Sequence, residues 1–242
     1  MSRSTAPKPV RLWIFRGVLV VLALAAWFAT QAAIQARAVT SEASHMQLAG
    51  EVLVRGDALL EITADAHGYL RQNQQSAFAL LIVSSLCIDL LTFFLLGWSV
   101  FGRSIRPFLG LLLLFGLRQI VQALCALPAP PGMIWESPGF PSILVTYEVA
   151  NDFFFSGHTA IAIYGAIELA RFGGVKLWPV ALVLAAFLTA SVIVLRAHYT
   201  MDVYAGAITA LLAAAWAPRL APPVDRWLAR LAGAEAIAPA QE

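Results

Sequence analysis

Two short segments carry residue types suited to phosphoryl transfer: residues 151–159, NDFFFSGHT, and residues 196–203, RAHYTMDV. Each sets a histidine, His158 or His198, at the edge of an apolar stretch. Ser156, Gly157, His158 and Thr159 read as a helix start, where unpaired backbone N–H groups and the positive end of the helix dipole favour phosphate. Ser156 and Thr159 add hydroxyls, Gly157 lets a ligand approach the backbone, and His158 can give or take a proton at the bound group. The plain alternative is a serine N-cap followed by an incidental histidine. His198 and Asp202 stand at i and i+4, so on a helix they share a face. A carboxylate on one imidazole nitrogen fixes the tautomer and leaves the other nitrogen as nucleophile or base. A buried ion pair between helix ends is the structural alternative.

Further charges could complete such a site. Arg118 and Arg196 are the candidates for holding phosphate oxygens, and Asp152 could orient a histidine or face a cationic headgroup. Glu136 and Glu148 are weaker candidates on the same side. Asp89 lies deeper in an apolar block and suits a helix–helix hydrogen bond, whereas His45 and His67, in a polar segment, read as solvated.

The elements that must position these groups are membrane helices. The chain is 60% hydrophobic and 12% charged, against about 25% charged for a soluble domain. Its apolar residues gather into blocks of the length that spans a bilayer, at about 12–33, 77–100, 107–126, 153–171, 177–195 and 201–217. The first could be a signal peptide, but its length favours a retained helix. Residues 34–75 are polar with amphipathic spacing and read as lying against the bundle or along the interface. The loop at 127–142 is too rich in proline to continue a helix. Prolines 218, 222 and 223 should end the last span, leaving an interfacial, then frayed tail. The organisation is thus 1–33 (N-terminal segment and first span), 34–75, a five-helix core over 76–217, and a tail over 218–242.

Six crossings put both termini on one side. Eleven of the sixteen basic residues fall there (Arg3, Lys8, Arg11, Arg16, Arg103, Arg106, Arg171, Lys176, Arg219, Arg226 and Arg230), which makes that side cytoplasmic. The 40 residues from His158 to His198 allow two crossings of ~30 Å joined by a short turn. Both histidines then meet on the opposite face. Alanine- and arginine-rich composition points to a bacterial inner membrane with the site facing the periplasm. Cys87 and Cys125 sit in apolar blocks and read as inert packing, without a disulfide. No spacing suggests a metal site or organic cofactor, and scattered basic residues exclude a nucleic-acid surface.

The segments DFFFSGHT at 152–159 and HYTMDV at 198–203 resemble the two signature segments of the sphingomyelin synthase family, a branch of the type-2 phosphatidic acid phosphatase superfamily. Arg118, followed by LPAPPG at 127–132, is similar to that family's arginine segment and loop. The resemblance covers roughly residues 77–205. It implies a six-transmembrane-helix, all-α bundle of the lipid phosphatase/phosphotransferase type, with His198 as nucleophile forming a phosphohistidine, Asp202 as its orienter, His158 as acid/base and Asp152 as a further acid.

The expected activity is transfer of a headgroup from a phospholipid donor to a lipid-alcohol acceptor, or to water in a phosphodiester hydrolase. The alternative is a phosphatase of phosphatidic acid-type monoesters. The broader superfamily shows an arginine six residues before its second histidine, where this chain has Val192. A monoester carries up to two charges and a diester one, so the sparse cations favour the diester. A non-catalytic scaffold of the same fold, and a homo-oligomer, are both compatible with the sequence.

Overall fold

The computed structural model describes residues 9–35, 56–125, 127, 129–139, 142, 144, 145, 147 and 154–233. All regular structure among them is helical. The helices are α1 (Pro9–Gln35), α2 (Ala58–Ile62), α3 (Ala64–Gln72), α4 (Gln74–Phe101), α5 (Arg106–Leu124), α6 (Gly157–Gly173), α7 (Trp178–Val194) and α8 (Thr200–Leu231), with a 3-10 turn at Gly174–Lys176 between α6 and α7. Each of the six apolar blocks contributes one helix. Four helices, α1, α4, α5 and α8, are long and apolar enough to cross a membrane. The other two, α6 and α7, have 17 residues each. Large apolar side chains such as Val21, Leu22, Leu90, Val183 and Leu211 point outward, the surface expected of a bundle whose surroundings are lipid.

Local chemistry explains the helix boundaries. Pro107 sits in the first turn of α5, where its missing N–H costs nothing. Ser156 caps α6 by accepting from the Thr159 N–H at 3.2 Å. Gly174, at a positive φ of 58°, ends α6 and starts the hairpin turn. The chain reverses again after α7 at Arg196, also at positive φ. The α6–α7 hairpin therefore brings the start of α6 and the segment after α7 to one end. Leu81, Ile88, Leu188 and Val192 pack a core between α4, α6 and α7.

The opposite end is tied by charge. Arg16 donates to the carbonyls of Gly102 and Arg103 and to Asp225 at 2.8 Å. Asp225 also accepts from Ser104 and from the Ile105 N–H at the head of α5. Buried Glu168 accepts from both Arg106 and Arg171.

Three expectations are corrected here. First, α8 runs to Leu231 despite Pro218, Pro222 and Pro223. Pro218 cannot bond the carbonyl four residues back, and that carbonyl, of Ala214, accepts instead from Arg171 Nη2 at 3.0 Å. Second, His67 is 3% exposed: its Nδ1 faces the Val194 carbonyl at 2.9 Å, which anchors α3 to the end of α7. Third, Asp89 accepts from Ser142 Oγ and the Leu144 N–H, so it holds the proline-rich loop. Residues 36–55, and with them His45, lie outside the described residues.

Candidate active site

A cavity of about 60 Å³ opens at the histidine end of the bundle. His158 reaches it from the first turn of α6, His198 from the turn between α7 and α8, and Arg118 from the last two turns of α5. Gly157 lines it beside His158. Its apolar wall comes from Trp27, Ile88, Phe115, Trp135, Leu144 and Val145, and Gln31 adds an amide.

The head of α6 holds the guanidinium in place. Arg118 is buried; its Nε donates to the Phe155 carbonyl at 3.3 Å and its Nη1 to Gln31 Oε1 at 3.4 Å. A Cβ at position 157 would stand 3.2 Å from Arg118 Nε, so glycine lets the guanidinium lie along the head of α6. The His158 ring meets Trp135 edge to face at 5.2 Å, and among the described residues its buried Nε2 has no hydrogen-bond partner.

His198 precedes α8 rather than lying on it. Its Nδ1 nevertheless comes within 3.8 Å of Asp202 Oδ2, an ion-pair distance too long for a hydrogen bond. Oδ2 accepts instead from the Tyr199 N–H at 3.0 Å, capping α8, and among the described residues buried Oδ1 has no partner. Burial, with the Asp202 and Asp57 carboxylates behind it, holds the Tyr199 phenol above its ordinary range.

Other sequence candidates lie elsewhere. The Ser156 hydroxyl donates to Thr159 Oγ1 at 3.0 Å, and both residues are fully buried. These hydroxyls are engaged in capping and do not line the cavity. Arg196 turns to the proline-rich loop, donating from Nη1 to the Pro131 carbonyl at 3.2 Å. Glu136 is exposed. Asp152 and Glu148 lie outside the described residues. Among the described residues no cluster of His, Cys, Asp or Glu could hold a metal ion.

Sequence reasoning passed over several residues that frame this site. Trp27, Gln31 and Trp135 line the cavity, and the sequence signal was Gln31, an amide late in an apolar helix. Asp57 caps α2 and also accepts from the Thr200 N–H at 2.8 Å and from the Thr200 hydroxyl, so it holds the first residue of α8.

Fold and cavity together define an all-helical membrane protein with two histidines and an arginine gathered at one end of its bundle. The model of the AtPDCT1/2 family, the plant phosphatidylcholine:diacylglycerol cholinephosphotransferases, matches residues 57–219. The chain belongs to that family, which places it among the membrane phosphotransferases of phospholipid headgroups. The resemblance to sphingomyelin synthase is corrected by this match: its histidine segments did not discriminate between families. No curated protein and no solved structure matches the chain.

Proposed function

We propose that the protein moves a phospho-headgroup from a phospholipid to a lipid alcohol, with phosphatidylcholine and diacylglycerol as the pair. The observation that carries this reading is that His158, His198 and Arg118 line one cavity, and the family match supplies the substrate class.

The reaction runs in two displacements. His198 Nε2, on the ring edge away from Asp202, attacks the phosphorus. A P–N bond forms, the bond to the diacylglycerol oxygen breaks, and His158 protonates that oxygen. A second diacylglycerol then gives its hydroxyl proton to His158, its oxygen attacks phosphorus, and the P–N bond breaks. Arg118 and the N–H groups at the head of α6 hold the charge on the non-bridging oxygens. Asp202 stabilises the imidazolium through space. The apolar wall keeps water, the competing acceptor, from the phosphohistidine.

The topology belongs to the same proposal. Seventeen residues rise about 25 Å, so α6 and α7 with their flanking turns complete six crossings. The end carrying Arg16, Arg106 and Arg171 is then cytoplasmic, and the cavity opens on the other face. The two-histidine arrangement is the reason to keep the chain within the type-2 phosphatidic acid phosphatase superfamily. Composition alone points to a bacterial inner membrane, whereas the matching family is a plant one.

Vesicles containing choline-labelled phosphatidylcholine and a diacylglycerol of different chain length test the reading. Labelled phosphatidylcholine bearing the new chains supports it. Free phosphocholine would make the protein a diester hydrolase, phosphate released from phosphatidic acid a monoesterase, and no product from any lipid a scaffold. A single guanidinium lines the cavity among the described residues, which favours a singly charged diester over a monoester.

A further inference from the structure

A second group of basic side chains lies at the same end of the bundle but outside the cavity. Arg71 on α3, His67 one turn earlier and Arg196 after α7 surround the turn at Pro130–Met133. A Cβ on residue 132 would stand 3.3 Å from His67 Nε2, 3.6 Å from Arg196 Nη1 and 3.6 Å from Arg71 Nη1. Two nitrogens from α3 and one from the segment after α7 thus converge on Gly132, at φ +75°, where even a methyl group would crowd His67 Nε2.

This convergence is electrostatically unfavourable as it stands. Among the described residues no carboxylate pairs with Arg71 or Arg196. Among the described residues, buried Arg196 Nε and His67 Nε2 have no hydrogen-bond partner, and His67 is 97% buried. Its Nδ1 carries the hydrogen donated to the Val194 carbonyl, so Nε2 is the atom turned to the corner. Burial, then the Arg196 and Arg71 charges, hold the His67 imidazole below its ordinary range. Buried polar atoms without partners call for explanation, and guanidiniums gathered without a counter-charge among the described residues call for an anion. Arg71 and Gly132 are exposed, so the corner is open to one.

We propose that Arg71, His67 and Arg196 form an anion site, separate from the histidine cavity, that takes the phosphate of a phosphomonoester, in the first instance that of a phosphatidic acid-type lipid. Two guanidiniums and an imidazole suit a group of up to two negative charges and several acceptor oxygens, whereas the catalytic cavity offers one guanidinium. His67 Nε2 can accept the proton of a singly protonated phosphate or, once protonated, donate to it. The site lies at headgroup level, since Val194 ends α7 at the same end as His198.

The test is titration of the full chain in detergent with short-chain phosphatidic acid, the matching short-chain phosphatidylcholine and inorganic phosphate. Phosphatidic acid should bind wild type more tightly than phosphatidylcholine does. Arg71→Gln should weaken that binding roughly tenfold, the scale of one charge-assisted hydrogen bond, and Arg71→Glu should abolish it. Arg71 is exposed, so both variants should melt with wild type, and headgroup exchange in vesicles free of phosphatidic acid should persist. Affinity for phosphatidic acid well above that for inorganic phosphate assigns the lipid; equal affinity assigns free phosphate to the same site. Binding untouched by both Arg71 variants, or lost only in Arg118→Gln, overturns the proposal. The binding outcomes do not depend on whether the cavity performs transfer, so the proposal can fail or stand independently of the exchange reading.

Discussion

The backbone N–H of Ser156 donates to the main-chain carbonyl of Asp202 at 3.0 Å. The residue that caps α6, two before His158, is thereby fastened to the residue whose carboxylate caps α8, four after His198. The contact needs close approach of the two helices, and Gly206, one turn beyond Asp202, permits it: a Cβ there would stand 2.5 Å from the Ser156 carbonyl oxygen.

Gly206→Ala should therefore separate the two histidines. Alanine gains up to about 1 kcal/mol over glycine in a helix interior, but overpacking a tight contact costs about 1–3 kcal/mol. The atom struck is a backbone oxygen that no rotamer change can move, so the clash should win. The expected result is a lower melting temperature and headgroup exchange reduced at least ~10-fold, the sensitivity expected when reacting groups are misplaced. A variant as stable and active as wild type would show that the two segments need no such closeness.

The paired histidines should fail in different ways. His158→Ala removes the proton donor and should slow transfer by about 10²–10⁴. With phosphorus-labelled donor it should still form labelled protein slowly, because His198 remains. His198→Ala should give neither product nor labelled protein. Label on the His198→Ala protein, or full exchange by either variant, would refute the assigned roles.

Asp57 should act as a positioning residue. It accepts from both the N–H and hydroxyl of Thr200 and so fixes the start of α8, just after His198. Asp57→Ala should destabilise by about 1–2 kcal/mol, the scale of a lost cap, and lower kcat with KM little changed. Asp57→Asn, which keeps an acceptor oxygen, should recover most of kcat. Equal loss in both variants would point to a role for the charge itself.

The helices and the histidine hairpin were legible because both are local signals. Apolar blocks set the elements, and the 40 residues between His158 and His198 set their meeting. What the sequence hid was tertiary. Trp27, Gln31 and Trp135 reach the cavity from a first helix and a proline-rich loop with no fixed spacing to either histidine. Ser156 and Thr159 were read as phosphate donors by residue type, but a cap within one turn already engages them. His67 sits among polar neighbours along the chain, and only the Val194 carbonyl explains its burial. Pro218 obeys a local stop rule that Arg171, from another helix, sets aside. The family was misread for a related reason: motif residues report a type of chemistry, while the match over 57–219 draws on the whole core.

Glu168 offers a control at the far end of the bundle. Its side chain is 2% exposed and bridges Arg106 at 3.0 Å and Arg171 at 2.6 Å. Arg171 in turn holds the Ala214 carbonyl that Pro218 leaves unpaired. Glu168→Ala leaves two guanidiniums facing each other without their shared carboxylate. Breaking a buried pair costs about 3–5 kcal/mol; here both arginines are about one-third exposed, water reaches them, and the cost should fall below that range. The expected outcome is a clearly lower melting temperature with specific exchange activity of the folded protein retained, because no described residue at this end lines the cavity. Retained stability would mean that α5, α6 and α8 are held by apolar packing alone. Loss of activity at unchanged stability would mean that the charged layer communicates with the histidines across the full length of α6.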